Sequence, residues 1–583
     1  MKKWILKHQT LLMATALGLA AFVMIFTHAP RVGYTRDEGF YFSAAESYSA
    51  WFKTLISHPS KAFDDKVIWR YYENNREHPV LVKNLMALSF LAFASDEPRV
   101  PTTWPRETTG TFAMAMRLPA QLFSAFAIAL TFLLGTAVAS KRVGLLAALL
   151  FLLSPRHFYH AQLACFDMPA VTVWLATILA WRKSLHSTAW SIATGVIWGL
   201  ALAVKHNSFF IPIVLLLHWI MVSGKEFSIS STGLKLPRIP LAFFSMLILG
   251  PLVFYAHWPI LWHHPIERLG WYFGFHLHHI NYYWEYFGKL LTDPPFPWLY
   301  PFAVSTLTLP LPFLVLCIFG VGRVTWGLLG RLISTPTRVM GRFAGLVVPR
   351  EKPGPSSQSL MGLARWDAWL LWLNTLIPFL VIAVPSVPIF GGIKHWMHAM
   401  PFAAVLAALA MERMVEGLAN AWPKGGKWLY RATAALVLAP GLAGLIWIGP
   451  YGSAFYNSLA GGVSGAADLG MQRQYWSNDV LGIFPWLNEN LPKGARVFFH
   501  EVTGESFHAY RRDGLLRPDI RPAWSTDYAD YTVYQYHREF VDTEYGVWNK
   551  TGDRTIVKGL YLDQVPLVLV YDSRKSTKGR LAK

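Results

Sequence analysis

The chain is poor in cysteine and in charged residues. Its only two cysteines, Cys165 and Cys317, lie far apart in or near apolar segments, which excludes a disulfide framework and a cysteine-based metal site. Charged residues make up 15% of the 583 residues, and hydrophobic residues make up 53%. A composition this apolar excludes an ordinary soluble protein and indicates an integral membrane protein.

Acidic residues are scarce, and the resulting formal net charge of +19 is unevenly distributed. The basic excess falls on short loops between apolar runs, such as Lys141-Arg142 and Arg182-Lys183, whereas the tail from Pro450 is nearly neutral. Basic loops of this kind are the positive-inside signature of membrane insertion, and a nucleic-acid-binding protein would instead carry them on a folded soluble part. The pattern predicts a cytoplasmic N-terminus, an external tail and no nucleic-acid partner.

About eleven apolar runs approach the length of a membrane span, and they predict an α-helical polytopic membrane protein. Residues 1–449 are predicted to form the membrane part, with an uncleaved first span and a large first external loop over residues 30–116. Residues 450–583 contain strand-like runs and are predicted to form a small external α/β domain. The predicted spans are Thr10–Ala29, Arg117–Ala139, Val143–Ser154, Met168–Trp181, Trp190–Val204, Ser208–Val222, Leu241–Trp258, Trp298–Phe319, Trp366–Val384, Trp396–Met411 and Ala432–Ile448, and the strand-like runs are Arg496–His500, Tyr531–Tyr536 and Pro566–Tyr571.

Two carboxylates, Asp37 and Glu38, follow the first span at once. A carboxylate held near a desolvating membrane surface can act as a general base toward an attacking hydroxyl. The alternative is a solvated loop start, or a partner for Arg31 or Arg36. Spacing alone leaves both interpretations open.

Further ionisable residues lie later in the first external loop and between the third and fourth predicted spans. Glu77-His78-Pro79 and Lys83 precede or begin a predicted helix, where ordinary helix capping is the alternative to a functional role. Asp167 lies between two apolar runs, and a carboxylate at such depth is usually functional or paired.

Lysine and histidine also occur at the external ends of later spans. Lys205-His206 interrupts an apolar stretch on the predicted external side, where it could bind a phosphate or extend its ammonium group from a span end. His276 and His279 share one face if their loop is helical, and with a distant carboxylate they could bind a divalent cation. The alternative for that loop is an interfacial amphipathic helix with aromatic residues at headgroup depth.

Taken together and in this order, these motifs resemble the GT-C glycosyltransferases, most closely the bacterial members of family 39, which includes protein O-mannosyltransferases and the aminoarabinose transferase of lipid A. The resemblance implies a GT-C membrane fold and an inverting transfer of sugar from a polyprenyl-phosphate donor to an acceptor hydroxyl. It also covers Tyr475-Trp476 in the tail. The second motif departs from the family, since Val80 replaces its second proline and His78 stands where the lipid A branch often has lysine.

The resemblance also implies residue roles. Asp37 would be the base or would orient the acceptor, with Glu38 beside it and Asp167 lining the same cavity. The lipid phosphate would meet cations and histidines, and a divalent metal ion would be held by a carboxylate and one or two histidines. The residues implied for the phosphate are Lys205, His206, Lys83 and His78, and those implied for the metal are Glu77, His276 and His279.

The predicted function is therefore an integral membrane glycosyltransferase of the bacterial inner membrane. Its predicted partners are a polyprenyl-phosphate sugar and a lipid, glycan or protein acceptor. The alternatives are a glycan ligase or polymerase that uses a diphosphate donor, a lipid-linked glycan transporter, and a non-catalytic assembly factor. A transporter would place ionisable residues near span centres and show internal symmetry, whereas here they cluster at external span ends.

Overall fold

The computed structural model of the chain describes residues 2–97, 108–223, 228–230, 233–235, 237–343, 361–422 and 426–574. Helices dominate the chain up to Ile448, and a five-stranded sheet with short helices follows. The helices are α1 (Lys2–His28), α2 (Arg36–Ser57), α3 (Pro59–Ala62), α4 (Asp65–Tyr72), α5 (Leu81–Phe93), α6 (Thr111–Val138), α7 (Lys141–Leu152), α8 (Pro155–Ala161), α9 (Asp167–Ser184), α10 (Thr188–Leu202), α11 (Ile211–Ser223), α12 (Leu241–His257), α13 (Pro265–Leu277), α14 (Tyr300–Thr308), α15 (Leu311–Phe343), α16 (Arg365–Ile382), α17 (Met400–Ala421), α18 (Gly426–Ile448), α19 (Gly462–Asp468), α20 (Phe484–Asn490), α21 (Gly504–Arg512) and α22 (Val541–Thr551).

Each predicted span overlaps a helical segment, which confirms the helical membrane fold class. Among the described residues, five helical segments are long and apolar enough to cross a membrane by themselves: His8–Arg31, Thr111–Val138, His206–Ser223, Leu311–Gly330 and Trp428–Ile448. The other predicted spans lie on helices that are too short, such as α10 and α12, or that have the length but not the apolar composition, such as α16 and α17. Within the predicted span Trp298–Phe319, Pro310 separates α14 from α15, because proline lacks the amide hydrogen of a continuous helix. The total number of spans stays a prediction.

Local sequence signals determine where several of these helices begin. The side chains of Ser140 and Ser187 accept backbone N–H groups at the starts of α7 and α10. Thr35 and Glu38 form a reciprocal capping box at the start of α2, which satisfies two backbone donors that a helix end leaves unpaired. The capping box fixes Asp37 in the first turn of α2.

A buried ion pair joins four segments of the membrane part. The Arg117 guanidinium on α6 donates to both carboxylate oxygens of Glu38 at 2.8 and 3.0 Å, and both side chains are 0% exposed. Arg117 also donates to the carbonyls of Ala29, Val32 and Gly33 at 2.8–2.9 Å. Glu38 accepts in addition from the backbone N–H of Ala164, at 2.8 Å.

The prediction of a catalytic role for Glu38 is therefore corrected to a structural one. Glu38 has no exposed surface, and its two oxygens are occupied by Arg117 and by backbone N–H groups of Thr35 and Ala164. A carboxylate without exposed surface is tolerated only when it is paired with a cation and hydrogen-bonded, and Glu38 has both kinds of partner.

The tail combines a sheet with short helices, in agreement with the predicted α/β class. Four strands of the described residues precede the tail: β1 (Ser228–Ser230), β2 (Gly233–Lys235), β3 (Trp284–Tyr286) and β4 (Lys289–Leu291). The strands of the tail are β5 (Arg496–Phe499), β6 (Arg521–Ala523), β7 (Tyr531–Gln535), β8 (Ile556–Leu562) and β9 (Val565–Asp572). The five-stranded sheet has the order β6-β5-β7-β9-β8, with β5 parallel to β6 and β7, and β9 antiparallel to β7 and β8. β5, β7 and β9 match the three predicted runs, and α18 ends one residue before the predicted boundary at residues 449–450.

This tail packs directly on the start of the first external loop. The Tyr34 hydroxyl donates to buried Asp513, and the Tyr34 N–H donates to the Tyr510 hydroxyl at 2.6 Å. Gly33 leaves room for the backbone carbonyl of Asn478, with which any Cβ would collide. One hydrophobic core extends from the membrane helices into the sheet, so the tail helps to hold the α2 start in place.

Asp479 is a fully buried carboxyl group in the short 3-10 turn Asn478–Ile483. One oxygen accepts from the Asn478 amide at 2.8 Å, and the other has no hydrogen-bond partner among the described residues. Burial raises the pKa of Asp479 from 3.8 to about 7, although His537 and the Asn478 hydrogen bond lower it in part. Folding therefore favours the protonated form of this group.

Replacing Glu38 by glutamine should destabilise the protein by about 3–5 kcal/mol, because the Arg117 charge stays buried without its counter-ion. The measurement is thermal unfolding of detergent-solubilised protein beside Glu46→Gln. Glu46 is on the same helix and pairs with Arg512, but its side chain is 42% exposed, so that variant should lose about 1 kcal/mol or less. Equal losses in the two variants would contradict the central role of the buried pair.

Asp479→Asn should flatten the pH dependence of stability. Between about pH 4 and about pH 7 the folded protein keeps a proton that the unfolded chain has released, so the wild-type free energy of unfolding falls as the pH rises through that window. Asparagine is neutral, as protonated aspartate is, so the free energy of unfolding of the variant should not fall in this pH window. Thermal unfolding at pH 5 and at pH 8 tests the difference against Asp542→Asn, an exposed carboxyl control; parallel pH profiles for the three proteins would argue against it.

Candidate active site

A cavity of about 690 Å³ lies where the first turns of α2 and α9 meet the tail. Side chains from the first external loop, the loop after α10, α13, the loop after α16 and the tail line it. Ile377, Pro378, Val381 and Ile382, all on one end of α16, form an apolar part of its wall. The cavity therefore joins polar groups from distant segments to an apolar helix surface.

Eight of the ten predicted site residues line this cavity. They are Asp37, Glu77, His78, Asp167, Lys205, His206, His276 and His279. Their convergence is a finding of the tertiary structure, since Asp37 and His279 are separated by 242 residues of sequence. The chemical roles of these residues stay predictions.

Asp167 and Lys205 form a buried ion pair on the cavity wall. Lys205 Nζ lies 2.6 Å from Asp167 Oδ1, and the two side chains are 9% and 5% exposed. His160 Nδ1 lies 3.4 Å from the other Asp167 oxygen, and His160 Nε2 lies 3.1 Å from the Tyr475 hydroxyl. Asp167 is thus held between a lysine and a histidine, and it holds the Lys205 ammonium group at the cavity.

Asp37 is the more accessible carboxylate, with 27% of its side chain exposed. Lys394 Nζ lies 3.6 Å from Asp37 Oδ2 and also packs over the Trp476 ring, 4.8 Å from its centroid. Gly391 has a φ of +65°, and a Cβ there would lie 2.5 Å from Lys394 Cε. Glycine at this turn therefore gives the lysine stem its path to Asp37.

Several histidines at the cavity keep an unpartnered ring nitrogen. Among the described residues, His78 Nδ1, His206 Nδ1 and His395 Nε2 are buried without a hydrogen-bond partner. Burial holds the pKa of His78 well below its ordinary value, with Lys83 and His276 adding to the effect. Neutral imidazoles have one donor and one acceptor nitrogen, so this group can hydrogen-bond a ligand without adding charge.

The residues predicted for a metal do not converge as a set of ligands. His276 Nε2 lies 2.9 Å from the backbone carbonyl of Glu77 and not from its carboxylate, whose Oε1 accepts from Asn75 at 2.5 Å. His279 bonds the Ile280 carbonyl through Nδ1 and stacks on Phe390. In the part of the chain that the structure describes, no three His, Cys, Asp or Glu side chains are grouped to hold a metal ion, so the residues present do not fit one in this arrangement.

Lys83 lies outside the cavity wall, contrary to its predicted phosphate contact. Its side chain is buried, and Nζ donates to the Asn75 carbonyl, the Asn75 side chain and the His78 carbonyl at 2.5–3.1 Å. These three bonds order the turn that carries Glu77 and His78. Lys83 is therefore a support of the site and not a group that faces it.

Sequence reasoning missed Lys394 and His395, although their signal was present. Like Lys205-His206, they form a Lys-His pair at the external end of a predicted span, where lysine runs against the positive-inside tendency. It also missed the contribution of the tail. Glu501, His537, Glu539 and Phe540 line the cavity, and no local pattern distinguishes them from other polar tail residues.

Comparison with known proteins matches one part of the chain to a family model. Residues 61–264 match the family model "Dolichyl-phosphate-mannose-protein mannosyltransferase". That region contains Glu77, His78, Asp167 and Lys205 but precedes the tail. No curated protein sequence matches the chain significantly.

Two solved structures align with most of the chain at low identity. ArnT from Cupriavidus metallidurans bound to undecaprenyl phosphate shares 14% identity over 97% of this chain and 98% of that chain, with a TM-score of 0.48. The oligosaccharyltransferase of Archaeoglobus fulgidus in the apo form shares 11% identity over 92% of this chain and 70% of that chain, with a TM-score of 0.45. Through residues 61–264 the chain is similar to the protein mannosyltransferases, and the resemblance to GT-C glycosyltransferases predicted from its motifs is confirmed.

Proposed function

We propose that the protein transfers a sugar from a polyprenyl-phosphate sugar to an acceptor hydroxyl, with inversion at the anomeric carbon. The observation that carries the proposal is the cavity itself. It combines an accessible carboxylate, Asp37, with a buried ammonium group, Lys205, and with an apolar helix surface on α16. These are the groups that a lipid-linked phosphate donor and a hydroxyl acceptor require.

The leaving group needs positive charge and hydrogen-bond donors. As the bond between the anomeric carbon and the phosphate oxygen breaks, that oxygen gains negative charge and leaves as polyprenyl phosphate. The ammonium of Lys205 stabilises this charge, and the unpartnered nitrogens of His206, His78 and His395 can add hydrogen bonds. In a partly desolvated cavity such interactions are stronger than in water.

The attacking hydroxyl needs one base. Asp37 accepts the acceptor proton as the new bond between the acceptor oxygen and the anomeric carbon forms, so a single displacement inverts that carbon. Asp167 is less suited to this task, because it is buried, with Lys205 Nζ 2.6 Å from one oxygen and His160 Nδ1 3.4 Å from the other. Its role in the proposal is to hold Lys205 in place.

The apolar end of α16 gives the lipid tail a surface to follow. Ile377, Pro378, Val381 and Ile382 line the cavity, and Leu380 and Val384 nearby are exposed hydrophobic side chains. A polyprenyl chain is buried favourably against such residues while its phosphate reaches Lys205. The proposed location is the bacterial inner membrane, in keeping with the resemblance to bacterial members of the family. The loop charges predict that the cavity and the tail lie on the external side.

Asp37→Asn should lower the transfer rate by about 100-fold or more, because the amide cannot accept the hydroxyl proton. The assay follows release of polyprenyl phosphate or diphosphate by the full-length protein in nanodiscs, with panels of undecaprenyl-phosphate and undecaprenyl-diphosphate sugars and membrane extract as acceptor source. Glu73→Gln, an exposed charge change in the same loop, should keep the wild-type rate. Undiminished release by Asp37→Asn would remove Asp37 as the base, and turnover of diphosphate donors alone would overturn the donor class.

Lys205→Met should weaken binding of undecaprenyl phosphate by about tenfold or more, because one charge-assisted contact to the phosphate is lost. Direct binding of the lipid to protein in nanodiscs measures this effect. The double variant Lys205→Met, Asp167→Asn removes the unpaired buried charge and controls for misfolding. Binding restored by the double variant would show that Lys205 acts only on stability and would count against its phosphate contact.

A further inference from the structure

One wall of the cavity comes from the tail and has no part in the donor chemistry described above. We call it the C-terminal wall and define it by Glu501, His537, Glu539 and Phe540. Glu501 follows β5, and the other three follow β7, so two parallel strands of the sheet end at this wall. Tyr283, from the loop after α13, packs edge-to-face on Phe540 with ring centroids 4.8 Å apart.

Glu539 is buried with an unpaired carboxylate oxygen. Its side chain is 4% exposed, Oε1 lies 3.5 Å from His537 Nδ1, and Oε2 has no hydrogen-bond partner among the described residues. A buried carboxylate oxygen without a donor is costly. A ligand that brings a hydroxyl or ammonium donor into the cavity would relieve that cost.

His537 is held in a defined tautomer beside Glu539. The Gln472 side-chain oxygen accepts from the Glu285 N–H at 2.9 Å, which directs its amide nitrogen to His537 Nδ1 at 2.7 Å. That amide donates, so Nδ1 accepts and the ring hydrogen lies on Nε2. In this arrangement Nδ1, which lies 3.5 Å from Glu539 Oε1, has no hydrogen to donate to that oxygen.

The C-terminal wall is coupled to Asp37 through the backbone. The Arg36 guanidinium lies 3.1 Å from Glu501 Oε2, and the Arg36 N–H donates to the Trp476 carbonyl at 2.9 Å. Trp476 and Glu501 have φ values of +73° and +63°, which non-glycine residues rarely adopt. Such strained residues concentrate at ligand sites, where the surrounding packing holds them.

We propose that the C-terminal wall is the acceptor subsite and that it binds a sugar ring. This proposal rests on the proposed function, and it identifies a sugar as the acceptor in that reaction. Glu539 and Glu501 would accept hydrogen bonds from hydroxyl or amine groups, and the aromatic pair Tyr283 and Phe540 would pack against the ring. The contact between Arg36 and Glu501 places the wall next to Asp37, so a hydroxyl of the bound ring can reach the base.

A peptide acceptor fits this wall less well. Extended peptides are commonly bound by pairing with a free strand edge, but the wall residues come from the turns after β5 and β7, two interior strands of the sheet. Two carboxylates and an aromatic pair instead match the donor-rich edges and flat faces of a sugar.

The test is direct binding of small probes to the full-length protein in nanodiscs, measured by saturation-transfer NMR. The probes are methyl glucoside, glucosamine and a serine-containing hexapeptide. We expect both sugars to bind, glucosamine more tightly because of its ammonium group, and Glu539→Gln to weaken glucosamine binding about tenfold, as loss of one hydrogen bond to a charged group predicts. Asp542→Asn, an exposed charge change close by in sequence, should bind like the wild type.

The affinity for undecaprenyl phosphate is measured on the same samples and shows whether the variant is folded. Normal lipid affinity with sugar affinity unchanged in Glu539→Gln, or binding of the hexapeptide alone, overturns the acceptor proposal while leaving the proposed function intact. If the wild-type protein neither binds undecaprenyl phosphate nor turns over a donor, the proposed function itself is contradicted. If Glu539→Gln does not fold, Glu501→Gln, whose side chain is 26% exposed, replaces it and must weaken glucosamine binding in the same assay.

Discussion

The buried ion pair between Glu38 and Arg117 is the interaction on which the site depends. It joins the segment after the first helix, the start of α2, the N-terminal part of α6 and the turn before α9 through one guanidinium and one carboxylate. Asp37 is the residue before Glu38, and Asp167 comes three residues after Ala164. The positions of both carboxylates therefore depend on this buried ion pair, which solvent does not reach. Burying the pair removes two charges from water, which costs free energy.

The groups that line the cavity differ in chemistry between the membrane part and the tail. The membrane helices and their loops supply Lys205, the buried histidines and the apolar end of α16, which suit a lipid phosphate. The tail supplies carboxylates and aromatic rings, which suit a hydroxyl-rich ring. Trp476 lies between the two sides, since its carbonyl binds the α2 start and its ring packs under Lys394. The tail is thus part of the cavity and shares the core of the membrane helices.

Much of the fold follows from local sequence. Apolar runs predict the helical segments, and the strand-like runs in the tail predict β5, β7 and β9. The lysines, histidines and carboxylates at the external span ends, together with the resemblance that they carry, led to ten proposed site residues, and eight of them line the cavity. Shorter helices were less certain, because a buried helix in a bundle can be apolar without being long enough to cross a membrane.

The sequence by itself determined the membrane class, the helical segments and the chemical types of residue available at the external ends of the spans. Only the tertiary structure decided which of them face the cavity. Asp37 and Glu38 are neighbours, but one step along a helix turns a side chain by about 100°, so one faces the cavity and the other the core. Lys83 carries the same ammonium group as Lys205, but it donates its hydrogen bonds to backbone carbonyls and does not face the cavity. Lys394 and Glu539 do line the cavity, although their segments are far away in sequence. Such choices depend on packing between distant elements, which no local pattern encodes.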